Sequence, residues 1–124
     1  MNGLLEVTRA LNTIRAAIDR DVINVDIEDV KNKLIELTQF MGLSAEANAS
    51  AKKILEQKEL GVLLSMDKKL SPSVQIRLLK AQCFEESALY EYADRLNSSL
   101  VHGIDGLRTV ISLYKSELEN SLKQ

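Results

Sequence analysis

The sequence predicts an all-α chain of three to four helices, one of them long and C-terminal, assembled as an oligomeric helical bundle. Three observations carry this reading. The 124 residues contain one proline and five glycines, too few to punctuate many short strands. Aromatic residues make up only 4% and tryptophan is absent, while Ala, Leu, Glu, Lys, Ser and Ile dominate; this is a helix-forming composition. Apolar residues also recur at spacings of three and four, the period of a helix face. The length suits one domain, 1–124, with N-terminal helices over 1–64 and a long helix or helical hairpin over 71–123. With 45% hydrophobic and 27% charged residues, the chain folds rather than staying disordered.

The first element runs from about Leu4 to Arg20. Leu4, Leu11, Ile14 and Ile18, with Val7 beside them, form one amphipathic face, and Asn2 is placed to cap it. Asp21–Val25 reads as a short connection, with Asn24 and Asp26 suited to capping the next helix. From Asp26, the residues Ile27, Val30, Leu34, Leu37 and Met41 keep helical phase, and Asp26, Glu28 and Asp29 complement the helix dipole. Gly42 could end this helix and Ser44 could cap another. Ala45–Lys58 is strongly helix-forming, so the reading is either one long helix or a kinked pair ending near Leu64. Ala47, Ala51, Ile54 and Leu55 offer a narrow face that permits close approach of a neighbour.

Ser65–Leu70 is a polar link. Ser71-Pro72 is the clearest boundary, serine at the cap and proline at the first helical position. Beyond it Leu89, Ala93, Leu96, Leu100, Ile104, Leu107, Ile111, Tyr114 and Leu118 follow each other at spacings of three or four, in phase across Gly103 and Gly106. This predicts one helix of about 50 residues, roughly 75 Å long. The alternative is a hairpin turning at His102–Gly106. A helix of that length has more apolar seam than one chain of this size can cover, so these nine residues are expected to form an oligomer interface.

Charge and cysteine narrow the function classes. Sixteen basic and eighteen acidic side chains leave a net charge of -2, so no overall positive field draws the chain to nucleic acid. A local patch remains in Met66–Lys80, where Lys68, Lys69, Arg77 and Lys80 face Asp67 alone. Cys83, the sole cysteine, forms no intramolecular disulfide and anchors no cysteine-based zinc site; beside Phe84 it reads as a small buried residue. No apolar run approaches the roughly 20 residues of a membrane span. The amino terminus lacks a secretory pattern, and the expected location is cytoplasmic.

Candidate chemistry is sparse. His102, Asp105, Arg108 and Ser112 share one helical stripe, which serves either as a polar binding face or as a solvated, register-setting stripe. One histidine and one aspartate without a marked nucleophile or oxyanion site do not make a catalytic set. Glu85, Glu86, Glu91 and Asp94 could ligate a cation, but no Glu-x-x-His pair accompanies them, so neither a metal nor a cofactor is expected. Gly103 and Gly106 fit a close helix crossing or a bend rather than a phosphate loop. Lys52, Lys53, Lys68, Lys69, Arg77 and Lys80 are the candidates for nucleic-acid phosphate, with Lys58 nearby. Tyr90 and Tyr92 could stack on bases or pack at a helix contact.

Two stretches, Glu86-Ser87-Ala88-Leu89-Tyr90-Glu91-Tyr92-Ala93-Asp94-Arg95-Leu96-Asn97 and Ile104-Asp105-Gly106-Leu107-Arg108-Thr109-Val110-Ile111-Ser112, together with the order of helices, resemble phage recombination mediators of the UvsY type. That resemblance implies a small helical protein that oligomerises, binds single-stranded DNA and helps load a recombinase. It carries no individual functional residue. The sequence therefore supports a non-enzymatic oligomer serving nucleic-acid transactions or, alternatively, a helical adaptor or inhibitor acting on a partner protein.

Overall fold

The computed structural model describes residues 3–21 and 26–123. Among them are five helices and no strand: α1 (Leu4–Asp19), α2 (Ile27–Gln39), α3 (Met41–Ser65), α4 (Pro72–Gln82) and α5 (Phe84–Lys123). The proposed Asn2 cap and the Asn24 half of the second cap lie outside the described residues.

The core forms where apolar stripes of α1, α2 and α3 meet the middle of α5. Val7 and Leu11 of α1, Ala47 and Ala51 of α3, and Ala93 and Leu96 of α5 make one cluster. Ile14 and Ala17 of α1, Leu37 of α2, and Leu100 and Ile104 of α5 make the next, so α5 runs through both. The alanines let α3 approach closely, and the largest helix contact is α3 against α5. Ser44 is fully buried at that contact and donates to Asn97 Oδ1 at 2.8 Å. One turn along, Asn48 Nδ2 is buried without a hydrogen-bond partner.

Local chemistry explains the ends. The Asp26 carboxylate accepts from Glu28 N–H and caps α2. Ser71 accepts from Val74 N–H, with Pro72 opening α4 as the sequence predicts. The last turn of α1 contains no basic residue; Lys33 of α2 donates there to the carbonyls of Ala17 and Arg20. Arg20 in turn pairs with Glu36 at 2.6 Å. A cation from α2 thus answers the unpaired carbonyls of α1.

Two breaks differ from the expectation. The α2–α3 interruption falls at Phe40, not at Gly42 and Ser44. Phe40 N–H bonds back three residues to Leu37 O, a tightened last turn, and its side chain packs against the cluster of Ile14, Ala17, Leu37, Leu100 and Ile104. Gly42 lies inside α3, and Ser44 is a buried contact residue rather than a cap. The second break, at Cys83, divides the expected 50-residue helix into α4 and α5. Cys83 has φ -103 and ψ 17, its N–H bonding to Leu79 O and its carbonyl accepting from Ser87. The regular apolar phase begins at Leu89, so nothing in it fixed the path over 72–88. The two interruptions bring the helix number to five.

α5 itself is continuous through Gly103 and Gly106, with no hairpin. At 40 residues it is about 60 Å long.

Candidate functional site

The seam assigned to an oligomer interface divides in two. Ala93, Leu96, Leu100 and Ile104 are buried within the chain, against α1, α2 and α3. Leu89 and Leu107 are half-buried against those clusters, and Ile111 is half-buried beyond them. These central positions are therefore occupied by the chain's own helices, which periodicity cannot distinguish from a foreign one. Tyr114 and Leu118 remain exposed, along with Val110, Leu113 and Leu122. The apolar stripe of α5 thus continues in phase past the point where α1 and α3 cover it.

Beside this tail the amino-terminal turns of α2 form a shallow groove of about 250 Å³, lined by Ile27, Val30, Val110, Leu113 and Tyr114. At the opposite end of α5 lies a larger cleft of about 530 Å³ between α3, α4 and the first turns of α5. Leu55, Ile76, Leu79, Phe84 and Ala88 supply its apolar walls, with Glu59, Glu91 and Lys80 as charged groups. It exists because α4 packs lightly. No residue of α4 is buried, and Val74, Ile76 and Leu78 stay open to solvent. Phe84, at 72% exposure, is an aromatic side chain left largely in water at the cleft edge.

Cys83 also lines this cleft, yet it is buried. Burial pushes its thiol pKa up, and the negative charges of Glu59 and Glu86 push the same way against Lys58. The arrangement holds the thiol protonated and unreactive, as a small packing residue.

The six basic candidates are all exposed. Lys52 and Lys53 stand on α3, Lys68 and Lys69 in the turn before α4, and Arg77 and Lys80 on α4. Lys80 reaches the cleft, where Glu59 and Glu91 also lie. The polar stripe is a surface feature. Arg108 and Asp105 pair at 3.8 Å with both side chains well exposed, and His102 is exposed beside them; such a pair contributes about 0.3–0.5 kcal/mol. Tyr90 and Tyr92 pack against the first core cluster, and the guanidinium of Arg15 lies 5.9 Å from the Tyr92 ring centre. Both rings are half-buried, and the face of Tyr92 carries the Arg15 guanidinium.

Among the described residues no three His, Cys, Asp or Glu side chains gather as a metal site. No described helix is long and apolar enough to cross a membrane. Sequence reasoning missed the cleft because its walls come from residues 55 to 91 on three helices, and no local pattern links them. The exposed Val74, Ile76 and Phe84 were the available signal. No family model, curated protein or solved structure matches the chain.

Proposed function

We propose that this protein is a non-enzymatic helical building block that works as a homo-oligomer through its uncovered apolar helix faces. The observation that carries the reading is surface area. The chain exposes 8741 Å², whereas a compact monomer of 13.8 kDa exposes about 6,600 Å². The excess of roughly 2,100 Å² lies in the range that an obligate partner buries on each side, about 1,000–2,500 Å². Light scattering over a concentration series tests the reading. A mass that is a multiple of 13.8 kDa is expected, and a mass of one chain at every concentration would overturn it.

A second reading, a recombination accessory that holds single-stranded DNA, is favoured by the exposure of Lys52, Lys53, Lys68, Lys69, Arg77 and Lys80. Assembly repeats such a set around the particle, and contacts to phosphate then add with a steep salt dependence. The double substitution Lys68→Glu/Lys69→Glu should weaken binding of a labelled oligonucleotide while leaving the mass unchanged. Absence of binding at low salt by the unaltered protein would remove this reading. It would leave the apolar faces to self-association or to a protein partner.

A further inference from the structure

Resting on the proposed self-association, we infer that the contact is head-to-tail: the C-terminal tail of α5 from one copy seats in the α3–α4–α5 cleft of the next. The cleft is concave and apolar, and the tail is a convex single helix with an apolar stripe. Tyr114, Leu118 and Leu122 recur every four residues over about 12 Å. The cleft extends along α5 from Phe84 to Glu91 and along α4 from Ile76 to the break at Cys83, each about 11 Å. Side chains one turn apart on an amphipathic helix are the anchors by which a helix occupies such a groove.

Charge matches in kind. Glu59 and Glu91 stand at the cleft with Lys80. On the tail, Lys115 and Lys123 lie to one side of the stripe with Glu119 between them, and Glu117 lies to the other. Lys115 and Lys123 can approach Glu59 and Glu91, the latter also 3.9 Å from Arg95, while Glu117 approaches Lys80. Area adds a further argument. Both uncovered apolar regions, at opposite ends of α5, contribute to the excess surface. Tail-to-tail pairing would cover only one of them, whereas a head-to-tail contact covers both with a single kind of interface. A contact between two different patches leaves one of each free on every pair, so growth continues beyond two chains.

Two surface variants test this. Leu118→Glu/Leu122→Glu removes the tail, and Ile76→Glu/Phe84→Glu removes the cleft; all four positions are about half exposed or more. The wild type should exceed the mass of two chains. Each variant alone should have the mass of one chain, and an equimolar mixture should double it, because the mixture retains one intact tail and one intact cleft. A mixture that stays at one chain mass would overturn the head-to-tail contact. So would a cleft variant that keeps the wild-type mass, which is the signature of tail-to-tail pairing. A wild type of one chain mass would instead overturn self-association itself. If circular dichroism shows that a charged variant has lost its helices, thiol crosslinking replaces it. Phe84→Cys and Leu118→Cys, each in a Cys83→Ser background, are mixed under mild oxidation. A disulfide-linked pair of the two different chains is expected, and linkage only between Leu118→Cys chains would overturn the proposal.

Discussion

Single residues explain how the helices are held in register. Ser44 is fully buried, and its hydrogen bond to Asn97 ties α3 to α5 at one level of the bundle. Losing one partner would strand the other in the core at a cost of about 1–3 kcal/mol. Lys33 makes a comparable tie at the end of α1. Cys83 provides a test by pH. Burial first, then Glu59 and Glu86, raises its folded pKa above the ordinary 9.0. A raised pKa means that the folded protein keeps its proton where the unfolded chain has released it. The contribution of the protonated thiol is complete below the unfolded pKa and is lost as pH rises through the folded one. The wild-type Tm should therefore fall more steeply than that of Cys83→Ser as pH rises through and above 9.0. Equal slopes would show that the thiol environment is not shifted.

At the scale of elements, the glycines of α5 separate packing from propensity. A Cβ added at Gly103 would lie 3.3 Å from Leu37 Cδ1, where α2 crosses, whereas at Gly106 it would meet nothing within 4 Å. Gly106→Ala should stabilise the protein by about 0.5–1 kcal/mol, a Tm rise of about 4 °C. Gly103→Ala has the same helix gain but must displace Leu37, so its Tm should rise less or fall. Equal rises would mean that the α2–α5 crossing is looser than described. This was legible in part: the glycines stood in unbroken apolar phase, which favoured a continuous helix with a close crossing, but not which helix crosses where. Ser71-Pro72 was fully legible because capping is local chemistry. The breaks at Phe40 and Cys83 were not. Each is a shift of backbone hydrogen bonding supported by packing, at residues that carry no proline or glycine. The candidate surface was legible in the same divided way. Periodicity identified the apolar stripe from Leu89 to Leu118, yet Ala93 to Ile104 face the chain's own helices and only the end of the stripe is uncovered. The basic residues were legible as types; their scatter over α3, α4 and the turn between them was not.

The whole molecule is dominated by a disproportion of length. α5 extends about 60 Å, whereas a compact domain of 124 residues is about 35 Å across. Every described residue beyond Ile111 is exposed, including Leu113, Tyr114, Leu118 and Leu122. These 12 residues propagate a helix already nucleated in the core, so what they leave unsatisfied is not the helix but its apolar stripe, which stands in water. Self-association, as proposed, would cover this stripe, which runs on in phase with the core. Hydrogen exchange of the α5 amides from 112 to 123, followed on dilution, measures this directly. In concentrated protein these amides should be protected nearly as well as those of the buried centre near Leu100. Protection should collapse on dilution and in Leu118→Glu/Leu122→Glu, while the Leu100 region stays protected. Rapid exchange of the tail at every concentration would contradict the account, because it would show a helix end that no second chain covers.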